Sequence, residues 1–86
     1  MDESAAAEWD LEWHSHLLNA AKQRVKRRVK EEQYQLFDLY VNQQWPVARI
    51  RQALGVSATQ IYLAKHRITR LLRAEVRRLE KEWEAG

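Results

Sequence analysis

The sequence has no cysteine, one proline and two glycines among 86 residues. The absence of cysteine excludes a disulfide framework, a thiol nucleophile and a cysteine-based zinc site, and it is typical of a reducing compartment. No apolar run approaches the roughly 20 residues that a membrane-spanning helix needs. The N-terminus is acidic, whereas a signal peptide begins with a basic segment followed by an apolar one. We therefore expect a cytoplasmic protein that does not associate with membranes.

Charge is distributed unevenly along the chain. Five acidic residues precede position 13, and all 15 lysines and arginines follow position 21, although the net charge is only +3. Such a basic region is expected of a protein that binds a polyanion, and nucleic acid is the first candidate.

Catalytic and metal-binding patterns are missing from the sequence. Serines and histidines are scattered, so no nucleophile, base and orienting residue can be assembled. His14 and His16 are two positions apart, which places them on different sides of a helix and argues against a metal site. We expect a protein that is not an enzyme and that carries no metal or cofactor.

Pro46 and Gly55 bracket a short helix, predicted over 46–54, because proline suits the first helical position and glycine the left-handed residue after the last. Upstream, aromatic and aliphatic residues at three- and four-residue spacing predict a helix over 31–42. Downstream, Ser57 is a good N-cap for a long helix over 58–84. The apolar stripe of that helix comprises Ile61, Ala64, Ile68, Leu72, Val76, Leu79 and Trp83.

A fourth helix is predicted over 8–29, preceded by a disordered segment over 1–7. Its apolar stripe comprises Trp13, Leu17, Ala21, Val25 and Val29. This stripe matches the one on the far half of the helix over 58–84, so we expect the two helices to pack together. The predicted fold is an all-α helical bundle in which this lead-in helix precedes one domain over 30–86.

The helix over 46–54, the tight turn over 55–57 and the next helix together predict a helix-turn-helix, whose second helix enters the major groove of DNA. Arg67 suits guanine, Gln60 suits adenine and Leu63 suits a thymine methyl group. All candidate DNA contacts lie on or beside these helices: Arg49, Ser57, Thr59, Gln60, Tyr62, Leu63, Lys65, His66, Arg67, Arg70 and Arg73.

Other charged and aromatic residues have simpler interpretations. The four basic residues Arg24, Lys26, Arg27 and Arg28 are expected to form a solvated face. Basic and acidic residues alternate over 75–84, which predicts ion pairs within the helix. The four tryptophans are expected in the core or an interface.

Part of the chain resembles region 4 of the extracytoplasmic-function sigma factors of bacterial RNA polymerase. The resemblance covers about 29–79, and its strongest stretch reads WPVARIRQALGVSATQIYLAKHR. The preceding EWDLEWHSHLLNAAKQRVKRRV resembles the linker and lead-in helix of one subgroup. A complete factor also contains region 2, so the resemblance implies that this chain corresponds to one part of such a factor.

The resemblance implies two partners. Region 4 recognises the −35 promoter element with its recognition helix, where Tyr62, Leu63, His66 and Arg67 occupy the family's contact positions. The helices before it bind the flap of the polymerase β subunit, and Tyr34, Phe37 and Tyr40 occupy that surface.

Two alternatives stay open. In the first alternative, the chain is the helix-turn-helix domain of a transcriptional regulator, which would bind two half-sites as a dimer. In the second, it is a protein-binding helical module, such as the surface that an anti-sigma factor captures. Self-association of the isolated chain through its N-terminal helix is a further expectation.

Overall fold

The computed structural model describes the backbone of residues 3–85 and the side chains of residues 12–84. This part of the chain consists of helices joined by short connections over 29–30, 43–46 and 55–57. The four α-helices are α1 (Glu3–Arg28), α2 (Glu31–Phe37), α3 (Val47–Leu54) and α4 (Ala58–Ala85). A π-helical turn, Asp38–Asn42, continues α2. No helix in this part of the chain is long and apolar enough to cross a membrane.

The two long helices α1 and α4 pack antiparallel, which confirms the predicted contact between their apolar stripes. Leu17, Ala21 and Val25 of α1 are almost completely buried. They form the first core cluster, together with Phe37, Ile68, Leu72 and Leu79. Because these side chains come from α1, α2 and α4, the N-terminal helix is an integral part of the bundle.

Trp13 and Trp83 close the open end of this helix pair. Their ring centroids are 5.1 Å apart in an edge-to-face arrangement, and the two residues remain 43% and 38% exposed. The tryptophans were expected in the core or an interface; Trp13 and Trp83 contact each other, but both are exposed. They pack on each other near solvent because α1 and α4 have no third helix beside them there. The Trp9 side chain lies outside the described side chains.

A second core cluster fixes α2, the π-helical turn and α3 on the first turns of α4. It comprises Leu36, Leu39, Ile50, Ile61 and Ala64. Ile50 and Ile61 have no exposed surface, so the apolar face predicted between Pro46 and Gly55 packs on the start of α4. This cluster sets the angle between α3 and α4.

Two helix boundaries differ from the predicted ones. α1 begins at Glu3, so the segment expected to be disordered is helical from residue 3, where three consecutive alanines favour a helix. Met1 and Asp2 lie outside the described residues. Pro46 occupies the N-cap, with φ −60° and ψ 146°, and α3 begins at Val47. Its carbonyl accepts hydrogen bonds from the N–H groups of Arg49 and Ile50, which is the role of an N-cap residue.

The π-helical turn is a feature that the sequence pattern did not indicate. The Gln43 N–H donates to the Asp38 carbonyl at 3.0 Å, five residues back. The Asp38 carboxylate then accepts side-chain hydrogen bonds from Asn42 at 2.8 Å and Gln43 at 2.9 Å. The turn ends at Gln44, whose φ of 55° is left-handed. These contacts shape the connection that leads into α3.

Candidate nucleic-acid interface

The corner between α3 and α4 is built from residues 55–57. Gly55 adopts a left-handed conformation with φ 66°, as predicted, and its N–H donates to the Arg51 carbonyl at 2.9 Å. Glycine enters this region without the steric penalty that a Cβ atom brings. The chain therefore reverses within three residues, and α4 leaves the corner with its first turns beside α3.

A reciprocal pair of hydrogen bonds caps the start of α4. The Gln60 N–H donates to the Ser57 Oγ at 3.1 Å, and the Ser57 N–H donates to the Gln60 Oε1 at 2.8 Å. This is a capping box, and its Ser-x-x-Gln pattern was readable in the sequence. Both residues were predicted to contact DNA. In the structure both belong to the cap, and the side-chain oxygen of Gln60 is used in the hydrogen bond with Ser57.

The first half of α4 separates a buried from an exposed face, as the sequence predicts. Ile61, Ala64 and Ile68 are buried, whereas Leu63 is 63% and Tyr62 51% exposed. The other exposed predicted contacts on α4 are Thr59, Gln60, Lys65, His66, Arg67, Arg70 and Arg73. We call the side of α4 formed by Thr59, Leu63, His66, Arg67, Arg70 and Arg73 the outer face.

Two of the predicted contacts lie at the edge of this face, against Tyr40. The Tyr62 ring meets the Tyr40 ring edge-to-face, with 5.8 Å between centroids. The Lys65 Nζ lies 5.4 Å from the Tyr40 centroid, within the range of a cation–π interaction. Tyr40 therefore holds both side chains to one side of α4.

On α3, Arg49 is held by an aromatic ring in the same way. Its guanidinium carbon lies 3.9 Å from the centroid of Trp45, which is half-buried against the second core cluster. Stacking restricts a side chain that is otherwise flexible. It leaves the guanidinium exposed, with its N–H donors available to an anion.

The electrostatics of this region are uniformly positive. Residues 39–74 contain no acidic residue. Among the described residues, none of the basic side chains in this stretch forms an ion pair within 4.0 Å. They are Arg49, Arg51, Lys65, Arg67, Arg70 and Arg73. Uncompensated charges on one surface attract polyanions.

A groove runs between α2 and the first half of α4, next to the outer face, with a volume of about 950 Å³. Its lining includes Leu36, Leu54 and Val56, and its basic residues include Arg67 and Arg70. The groove thus combines apolar side chains with cations from the outer face.

The structure separates the three residues predicted to bind the polymerase flap. Phe37 is only 4% exposed and belongs to the core between α1 and α4. Tyr34 is half-buried beside it, with 5.8 Å between ring centroids, and the Lys26 Nζ lies 5.1 Å from the Tyr34 ring. Burial and the charge of Asp38 raise the pKa of Tyr34. Tyr40 faces Tyr62 instead, so Phe37 offers no surface to a partner and the tyrosines lie apart.

A buried carboxylate on α4 was missed by the sequence analysis. Glu75 is 2% exposed, and it receives a hydrogen bond of 2.8 Å from the Arg28 Nη1. Its other oxygen lies 3.5 Å from Arg24 Nη1, which belongs to a second arginine of α1. The Arg24 and Arg28 side chains are 40% and 48% exposed, as a solvated face predicts, but the prediction did not include their pairing with Glu75. The predicted pairing within α4 is present as the Glu75–Arg78 contact at 3.7 Å, but the shorter contacts of Glu75 come from α1.

Within the described side chains, no three histidine, aspartate or glutamate residues are placed to hold a metal ion. No protein family, characterised protein or solved structure matches this chain. We therefore infer a function from the geometry and charge of the interface itself.

Proposed function

We propose that this chain is a sequence-specific DNA-binding domain of the kind found in region 4 of extracytoplasmic-function sigma factors. In this proposal α3, the corner over 55–57 and α4 act as a helix-turn-helix, and α4 reads the −35 promoter element. One observation carries the proposal. The exposed face at the start of α4 follows a tight corner and lies within a stretch of 36 residues, 39–74, that has six basic and no acidic side chains.

The outer face has the dimensions that this role requires. Thr59 and Arg73 are 14 residues apart, which corresponds to roughly 21 Å along a helix. This is enough to follow the major groove over about six base pairs, at 3.4 Å per pair. Arg67 is placed to pair with guanine, whereas Arg70 and Arg73 are placed to meet phosphates. The far half of α4 packs on α1 and holds the first half rigidly.

Two further features complete the proposed interface. Arg49, stacked on Trp45, contacts the DNA backbone beside the groove, because α3 crosses the start of α4. In this proposal Tyr34 and Tyr40 would meet the polymerase flap at two separate points, Tyr34 beside Lys26 and Tyr40 beside Tyr62. Phe37 is buried and would not contact it.

The proposal is tested by fluorescence anisotropy with duplexes that carry −35-like sequences, at two salt concentrations. Arg70→Ala combined with Arg73→Ala should weaken binding and reduce the salt slope by about 2, since each lost phosphate contact reduces it by about 1. Arg27→Ala combined with Lys81→Ala removes the same charge outside the basic stretch over 39–74 and is the matched control. Equal losses in both variants, or no binding by the wild type, would contradict the proposal.

The groove beside the outer face supports a second candidate, a protein-binding module such as one that an anti-sigma factor captures. Leu36, Leu54 and Val56 offer apolar surface to a helix that would dock between α2 and α4. Binding of this kind depends less on salt than DNA binding does. A protein ligand whose affinity falls with Leu54→Ala but not with the arginine variants would favour this candidate.

A further inference from the structure

We infer that Leu63 selects A·T base pairs by contacting the methyl group of a thymine, and that Gln60 does not select them by hydrogen bonding to adenine. The inference rests on the proposed function and specifies the chemistry that the α4 face reads. It identifies one apolar side chain as a specificity-determining residue.

Leu63 is exposed at the centre of the outer face. It retains 63% of its surface, more than any other large apolar side chain in the described part of the chain. Thr59 and Arg67 lie four residues before and after it, so all three share one side of α4. Leu63 also borders the groove between α2 and α4. Covering its exposed side chain with the methyl group of a base would be favourable, in proportion to the apolar area removed from water.

The cap at the start of α4 already engages the Gln60 amide that adenine recognition would use. A glutamine reads adenine with both ends of its amide, since the oxygen accepts from N6 and the nitrogen donates to N7. In this structure the Gln60 Oε1 accepts the Ser57 N–H at 2.8 Å. Turning the amide towards a base would break the hydrogen bond from the Ser57 N–H, which is one of the two hydrogen bonds of the capping box at the start of α4.

The remaining side chains at the start of α4 do not replace Gln60. Tyr62 lies against Tyr40 at the edge of the face. Arg67 suits guanine. Thr59, on the same face, also carries a methyl group, but Leu63 presents the larger apolar side chain and is 63% exposed. Leu63 is therefore the group best suited to contact the thymine C5 methyl, which is the apolar group that a base presents in the major groove. We expect the preferred site to contain a thymine close to a guanine.

The experiment begins with the duplex that the wild-type protein selects from a random pool. In separate duplexes each thymine is replaced by deoxyuridine, which removes only the methyl group, and each adenine by 7-deazaadenine, which removes only the N7 acceptor. At one thymine, deoxyuridine should weaken wild-type binding about fourfold, the loss expected for one uncovered methyl group. Leu63→Ala should bind the thymine and deoxyuridine duplexes equally, whereas Arg67→Ala should retain the difference.

Three results would overturn the inference, and they can be told apart. Sensitivity to 7-deazaadenine that disappears in Gln60→Ala, without any effect of deoxyuridine, would assign the selection to Gln60. Binding that responds to neither replacement would remove the inference but leave the proposed function in place. Failure of the wild type to bind any duplex would remove both. Leu63 is exposed, so thermal unfolding of Leu63→Ala should match the wild type and serves as the control for folding.

Discussion

Arg28 on α1 donates a hydrogen bond of 2.8 Å to Glu75, a carboxylate buried on the facing side of α4. Arg24, one turn earlier, also pairs with Glu75, at 3.5 Å, and with Glu82 at 3.0 Å. The hydrogen bond to Glu82 is the main cause that raises the pKa of Arg24. These pairs connect the two long helices in the centre of an otherwise apolar contact, so they define how α1 and α4 align.

The first prediction concerns this ion pair. Removing both arginines, with Arg24→Ala and Arg28→Ala, leaves the buried Glu75 with only the longer contact to Arg78 at 3.7 Å. We expect a loss of about 2 kcal/mol in the free energy of unfolding. This expected loss of stability is smaller than the loss for a fully buried ion pair, because both arginines are partly exposed. Urea unfolding measures it.

The matched experiment replaces the carboxylate instead. Glu75→Leu places an apolar side chain between Leu72 and Leu79, so stability should stay equal or increase, since apolar replacement of a buried pair is often neutral or favourable. Glu84→Leu, on the exposed end of α4, is the control. A large loss of stability in Glu75→Leu would mean that the ion pair stabilises the bundle more than an apolar contact can.

The second prediction concerns the cap of α4. Ser57→Ala removes the acceptor for the Gln60 N–H, so we expect a loss of about 1 kcal/mol. Ser57→Asp retains an acceptor, and its stability should be close to that of the wild type. Because it places a negative charge at the proposed interface, Ser57→Asp should nevertheless weaken DNA binding. Thermal unfolding and anisotropy on the same three proteins separate the two effects, and intact DNA binding by Ser57→Asp would place the corner away from the DNA.

The third prediction concerns Asp38 and pH. Hydrogen bonds from the Asn42 and Gln43 side chains hold the pKa of Asp38 below its ordinary value of 3.8. A pKa that is lowered in the folded state adds stability above the pKa of the unfolded state, and this stability is lost as the pH falls through the folded value. Asn42→Ala should therefore raise the pKa of Asp38 and reduce stability at pH 7, with little effect below pH 2.

An NMR titration of the Asp38 carboxyl carbon checks this shift directly. Glu31→Ala, an exposed change at the start of α2, should leave the titration of Asp38 in place. An Asp38 pKa at or above 3.8 in the wild type would mean that the π-helical turn does not hold the carboxylate as described.

The sequence predicted the features that depend on local chemistry. Gly55 ends α3 in a left-handed conformation because only glycine adopts it without strain, and the buried stripe from Ile61 to Leu79 follows helical periodicity. The packing of α1 on α4 was predictable for the same reason: two long apolar stripes had no other partner. The exposed face of α4 follows from the same periodicity.

Some features that the sequence did not predict depend on contacts between different helices. Others depend on residues to which the sequence pattern allows more than one role. Glu75 lies on the buried stripe, but its partners come from α1, and a rule for pairs within one helix cannot identify them. Phe37 is in the core because α1 covers it, whereas the resemblance implied that it belongs to a surface that binds the polymerase flap. The sequence allows Gln60 either to contact a base or to cap α4, and in the structure its side-chain oxygen accepts a hydrogen bond in the cap. The π-helical turn contains one extra residue per turn, whereas the apolar spacing in the sequence predicts a continuous α-helix there.

The central claim is that α4 reads DNA with the outer face of its first half. Mapping of amide chemical shifts by NMR, as a selected duplex is added, tests it most directly. We expect the largest changes over 57–73 and at Arg49, and almost none at Trp13 or Trp83. Changes concentrated on α1, on the far half of α4, or nowhere in the chain would contradict the account.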